Sequence, residues 1–164
     1  NALIENQCRP CEIDYHFPTS SVQLLSKALL HNRSLEELSI RGAGLDASAA
    51  VELGKGLRNC EEVKIVSVSV NLFGDDGVIG FCKGLKYCKN LQELWISNNE
   101  IGDIGALALG IALGKGCKKI RSVNLNNNNI SEKGLLSMVK EMTQCTKLSF
   151  LYLMNNKVLV DNAI

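Results

Sequence analysis

The sequence predicts an α/β array of stacked repeats, on three observations. A short apolar strand pattern starts at Leu35, Val63, Leu91, Ile120 and Leu148, at intervals of 28, 28, 29 and 28 residues. An asparagine returns in one slot after the strand, as Asn71, Asn99, Asn128 and Asn156. A cysteine returns after the helix, as Cys60, Cys88, Cys117 and Cys145. Self-similarity at a period of roughly 20–50 residues marks such an array, because one strand–helix unit cannot bury its apolar face alone.

The clearest unit is Leu91–Leu113. Its strand, Leu91-x-x-Leu94-x-Ile96, points its apolar positions one way, and Asn98-Asn99, Ile101 and Gly102-Asp103-Ile104-Gly105 make the turn. A helix follows with Ala106, Leu109 and Leu113 at i, i+3 and i+7. The same reading gives one domain over 1–164, with repeats 35–62, 63–90, 91–119 and 120–147 and a partial last repeat, 148–164. Residues 1–34 form a degenerate or truncated first unit. Its helix, Ser21–Leu30, carries Leu25 and Leu29 in register, but Pro10 falls where a strand residue should be and lacks the ladder donor. The single extra residue of the 29-residue interval sits in Gly114-Lys115-Gly116, where a loop absorbs it cheaply.

Each element has its own signal. The strand slots Leu35/Leu38/Ile40, Val63/Val66/Val68, Leu91/Leu94/Ile96, Ile120/Val123/Leu125 and Leu148/Leu151/Leu153 are all aliphatic. The asparagines fall where backbone groups leave the ladder, and a short amide can pair them with the next coil. An apolar plug follows at Leu45, Phe73, Ile101, Ile130 and Val158. Asp46, Asp75, Asp103 and Ser131 suit a helix N-cap or an acidic first turn. Leu53/Phe81/Leu109/Met138 and Leu57/Leu85/Leu113/Met142 form the buried stripe. Small residues at Ala49, Gly77, Gly105 and Gly134 read as letting the helix approach the strand layer. The fifth strand has no helix after it, so either the chain is truncated or a partner covers it.

Composition removes several classes of function. With 18 basic and 17 acidic residues the net charge is +1, which nominates neither nucleic acid nor a membrane surface. No apolar run approaches the ~18 residues a membrane helix needs. Four of the seven cysteines follow the repeat, which suits small buried hydrophobes in a reducing, cytoplasmic compartment rather than a disulfide framework. The first residue is Asn rather than Met, which reads as a piece of a longer chain.

The pattern Leu91-x-x-Leu94-x-Ile96-x-x-Asn99-x-Ile101, repeated over 35–156, resembles the leucine-rich repeat, and its 28/29-residue helical version resembles the ribonuclease-inhibitor-like subfamily. The resemblance implies a curved α/β solenoid, with parallel strands on the concave face and helices on the convex face. It also implies macromolecular recognition without chemistry. The Gly-Asp turns and Cys-closed helices look most like the repeat region of a NOD-like receptor. The neutral charge fits ribonuclease inhibitor poorly, because basic ribonucleases call for an acidic surface.

On such a concave face the outward slots hold the candidate site. The slot within the strand motif reads Ser39, Ser67, Trp95, Asn124 and Tyr152, and the next reads Arg41, Ser69, Ser97, Asn126 and Met154. The preceding slot reads Glu37, Ile65, Glu93, Ser122 and Phe150. Trp95 and the Phe150–Tyr152–Met154 cluster are the expected anchors, with Asn124, Asn126, Glu93 and Arg41 around them. Arg41, Glu37 and Glu93 also suit a merely solvated face.

Other signals are weaker. Cys8-x-x-Cys11 with His16 and His31 matches no common zinc spacing, and His31 suits a helix C-terminus. The sequons at Asn32 and Asn129 matter only in a secreted protein. Lys27, Lys55, Lys83 and Lys140 share a slot that reads as a solvated helix face. No metal or cofactor is expected. The reading is therefore a non-enzymatic protein-interaction module, the sensing region of a larger cytosolic receptor-type protein. The alternatives are a Ran-type GTPase-activating protein, working through loops at one edge, and a free-standing adaptor or inhibitor.

Overall fold

Six short parallel strands lie side by side in chain order in the computed structural model, which describes residues 3–4 and 17–158. They are β1 (Leu3–Ile4), β2 (Glu37–Ile40), β3 (Ile65–Ser67), β4 (Glu93–Trp95), β5 (Ser122–Asn124) and β6 (Phe150–Tyr152). Between them run α1 (Thr19–His31), α2 (Ala47–Leu57), α3 (Gly74–Leu85), α4 (Asp103–Gly116) and α5 (Glu132–Glu141). Strand and helix alternate in one open sheet, so the fold is an α/β leucine-rich-repeat solenoid. Within each coil the chain returns to the sheet one strand further on. Hence residues one repeat apart sit opposite each other: Leu38 faces Val66, which faces Leu94, which faces Val123, which faces Leu151.

The apolar slots build the core. In the strands beginning at Leu35, Val63, Leu91 and Ile120 every one of them is buried, and so are the plugs Leu45, Phe73, Ile101 and Ile130. The helix stripe, from Leu53 to Met142, closes the layer from the other side. Leu148, Leu151 and Leu153 are only partly covered. Truncating a fully buried leucine such as Leu109 to Ala would cost about 2–5 kcal/mol, felt mainly by adjacent coils in a stack with nearest-neighbour contacts. Pro10 and the Cys8/Cys11/His16 cluster lie outside the described residues. The sheet extends past β2 instead through Leu3–Ile4, with Leu3 opposite Ser39.

The asparagines pair as their chemistry suggests, but toward the preceding coil rather than the next one. Asn71 Oδ1 accepts from Ala43 N and Leu45 N, and its Nδ2 donates to Ile40 O and Val68 O. Asn128 does the same with Asn99 N, Ile101 N, Ile96 O and Leu125 O.

The small helical residues have a different role from the one their slot suggests. A Cβ at Gly77 would lie 2.8 Å from Ala47 Cα, and one at Gly134 would lie 2.2 Å from Asp103 Oδ1. These residues admit the neighbouring helix, not the strand layer. Further along the same seam a Cβ at Gly84 would sit 1.6 Å from the Gly54 carbonyl oxygen.

The acidic turn residues also act across coils. Asp46 is an ordinary N-cap, accepting from Ala49 N at 2.8 Å. Asp75 Oδ1 instead accepts from Gly102 N and Gly105 N of the following coil. Asp103 accepts from Ser131 N and from the Ser131 hydroxyl, which in turn caps α5. Negative charge is thus placed at the N-terminus of the next helix, where its unpaired N–H groups and dipole favour it.

Candidate functional site

The outward positions of β2 to β6 form one continuous surface with two characters. Toward the N-terminal side lies a groove of about 380 Å³, lined by Glu37, Ser39, Arg41, Ile65, Ser67 and Glu93 and reaching Trp95 and Asn124. Toward the C-terminal side stand Trp95, Tyr152 and Phe150. The parallel register fixes this division, because Trp95 lies opposite Ser67 on one side and Asn124 on the other, and Asn124 lies opposite Tyr152.

Asn124 is short enough for the aromatic side chains to meet over it. The rings of Trp95 and Tyr152 stack with centroids 6.3 Å apart and planes inclined by 20°. Tyr152 and Phe150 stack at 6.2 Å and 7°. The Trp95 indole is held by its own strand, since Nε1 donates to Glu93 Oε2 at 3.0 Å. Residues two apart on a strand share a face, which is why this bond forms locally. A row of offset-stacked rings is pre-ordered, so a partner that docks on it freezes little side-chain motion. Its far end is open: Phe150 is 57% exposed, Tyr152 39% and Met154 69%.

The remaining candidates divide. Asn124 Oδ1 accepts from Asn126 N, and Asn126 Oδ1 accepts from Met154 N, so both carbonyls are committed to backbone groups. Arg41 is exposed on the groove wall and forms no ion pair among the described residues. Ser69 and Ser97 occupy outward slots yet are buried, the Ser97 hydroxyl donating to Ser69 Oγ at 3.0 Å. The slot pattern places each of these side chains on the outward face but does not reveal the ring stack or the indole–carboxylate bond. Both depend on side-chain reach across strands.

The described thiols are not reactive groups. Cys60, Cys88 and Cys117 donate to the carbonyls of Leu29, Leu57 and Leu85 in the preceding coil. Burial pushes the Cys88 and Cys82 thiols up to about 12, and Cys117 further still. Cys60 and Cys145 rise for the same reason. Thiolate, the nucleophile and metal ligand, is therefore suppressed at neutral pH. Among the described residues no cluster of His, Cys, Asp or Glu could hold a metal ion, and no helix is long and apolar enough to cross a membrane.

Comparison with known proteins agrees with this fold. The family model for leucine rich repeats (2 copies) matches residues 89–137. No curated protein sequence matches the chain. Among solved structures, leiomodin-1 actin-binding site 2 superposes with a TM-score of 0.67 at 18% identity, over 81% of this chain and 77% of that one. The tropomodulin C-terminal domain of Caenorhabditis elegans gives 0.67 at 12% identity, over 82% and 81%.

Proposed function

We propose that the chain is a non-enzymatic recognition module that holds a protein partner on its strand face, with Trp95, Tyr152, Phe150 and Met154 as anchors and Glu93, Arg41, Asn124 and Asn126 around them. One observation carries this reading: the pre-stacked row Phe150–Tyr152–Trp95, exposed at Phe150 and Tyr152 and half-buried at Trp95, beside a polar groove. Large rigid aromatics desolvated at the centre of a contact supply most of the energy of protein–protein binding. The buried, unpaired thiols support a reducing, cytoplasmic setting. A receptor-type chain of the NOD-like kind is one context that suits such a module.

The test uses peptides selected from a random library on the folded chain. Trp95→Ala with Tyr152→Ala should weaken their binding at least about tenfold, each lost anchor being worth roughly 1–2 kcal/mol or more. Circular dichroism and melting should stay unchanged, since both rings project from the sheet. Undiminished binding by the double variant would overturn the reading. A specific partner is suggested by the shared fold with a leiomodin-1 site whose name records actin binding. Co-sedimentation with filamentous actin, together with a monomer-binding assay, tests it, and loss in the double variant would assign actin to this face.

A further inference from the structure

The charge of +1 conceals a division along one rim of the solenoid. The loops that lead from each helix into the next strand form this rim. In the loops before β2 and β3 the charges balance, Glu36, Glu61 and Glu62 against Arg33, Arg58 and Lys64; in the next three the rim carries Lys86 and Lys89, then Lys118, Lys119 and Arg121, then Lys147, with no carboxylate. All six cations of these three loops are exposed. Of the six, only Lys89 reaches a carboxylate among the described residues, Glu61 at 3.5 Å. The loops are in direct contact: Lys119 Nζ donates to Asn90 Oδ1, and a Cβ at Gly116 would lie 1.7 Å from the Lys86 carbonyl oxygen. Three loops at the strand spacing of about 4.8 Å place the six cations along roughly 10 Å of rim, close to one Debye length at physiological salt. Their fields therefore add. The folded chain holds them against mutual repulsion with little internal compensation.

The rim runs directly into the aromatic row. Arg121 is the residue before β5, and its carbonyl accepts from Phe150 N at 3.0 Å. We infer that this basic rim is a docking surface for a short acidic segment of the same protein partner that the aromatic row holds; the inference rests on the strand-face reading above. A peptide spans about 3.3 Å per extended residue, so three or four consecutive carboxylates match the rim's length. A long nucleic acid fits worse, because its phosphates continue past the three basic loops to a stretch where Glu36, Glu61 and Glu62 cancel Arg33, Arg58 and Lys64.

The probe is fluorescein-labelled hexaglutamate, followed by anisotropy at low and at raised salt. The intact chain should bind it, with affinity falling as salt rises. Lys118→Glu, Lys119→Glu and Arg121→Glu together should abolish binding, and the neutral triple change to Gln should weaken it about tenfold. Trp95→Ala with Tyr152→Ala should leave it unchanged, so failure of the rim and failure of the strand-face reading are separable. Equal loss on reversing Lys27, Lys55 and Lys83 would overturn the inference as non-specific attraction, as would retention of binding by either triple variant. Tighter binding of a deoxythymidine ten-mer or of phosphatidylserine vesicles, lost in the same variants, would overturn it in favour of that polyanion. A salt-sensitive dimer in sedimentation, abolished by the reversal, would overturn it in favour of a second copy.

Discussion

The coil beginning at Val63 and the coil beginning at Leu91 are adjacent layers with the same strand register, yet they leave the sheet differently. In the second, positive φ falls at Asn98 (55°) and Glu100 (58°), and Asn128 of the following coil pairs with both Asn99 N and Ile101 N. In the first, positive φ falls at Val70 (61°) and Gly74 (56°). There Asn71 N donates to the Asn98 backbone carbonyl, Gly74 N donates to that of Asn99, and Asn99 Oδ1 is left without a partner at 0% exposure. The plug differs as well. Phe73 occupies the slot that Ile101 fills, and its ring packs at 5.7 Å against Phe81. The larger plug and the rotated turn go together. One slot can thus hold the same residue type while its hydrogen bonds are redistributed, as long as the apolar layer stays filled.

The sharpest way to break this comparison is to remove each amide. Asn128→Ala deletes partners of two buried N–H groups and two buried carbonyls and should cost upward of about 3 kcal/mol. Asn99→Ala deletes only the two donor bonds to Val68 O and Ser97 O and should cost about half as much. Urea unfolding of the two variants checks the order, and equal losses would mean that the turns are energetically alike.

A smaller effect is expected at Val70, where a β-branched residue holds a left-handed conformation that costs an L-residue roughly 1–2 kcal/mol. Val70→Gly should therefore raise stability by up to about 1 kcal/mol, less the chain entropy glycine adds. Asn98→Gly should gain less, since asparagine tolerates that region well.

The smallest expected effect is electrostatic. Hydrogen bonds from the Ser131 hydroxyl and backbone N–H, helped by Lys133 and Lys157, hold the Asp103 carboxyl below its ordinary value of 3.8. A depressed folded value means that the contribution is fully present above 3.8 and is lost as pH falls through the lower one. Melting temperature measured from pH 5 downward should fall slightly less steeply in Asp103→Asn. The difference should be slight because the group is solvent-screened.

These residues also mark what could be read in one dimension. The apolar slots, the amide column and the thiol column were legible because each repeats with the coil and answers to a single requirement, burial or backbone pairing. The direction in which Asn71 and Asn128 reach was not, since the preceding and following coils are equivalent in a periodic string. Asp75 and Asp103 do lie in the first turns of their own helices, one of the two roles their slot suggests, but their bonds to the next helix were not legible, because an acidic first turn and a staple use the same residue in the same slot. At Gly77 and Gly134 the neighbour is a helix rather than the strand layer, which smallness alone does not specify: it shows that something comes close, not what. At the candidate site, Trp95 and Tyr152 stood out individually. Their stacking could not be read, because it depends on the size of Asn124 between them. The basic rim is hard to read because no slot is basic in every loop: Lys89 and Lys118 share one slot with Glu61 and Thr146, and Lys119 and Lys147 share the next with Glu62 and Asn90.

The thiol column gives the molecule a built-in clock. Each of Cys60, Cys88, Cys117 and Cys145 is silent while its coil is closed and becomes an ordinary nucleophile when that coil opens. Cys145 is 7% exposed and sits beside the partly covered Leu148, whereas Cys88 and Cys117 are at 0% between closed coils. Alkylation at neutral pH, read peptide by peptide in a mass spectrometer, should mark Cys145 well before Cys88 and Cys117. The rates would then record, layer by layer, the order in which the solenoid unwinds.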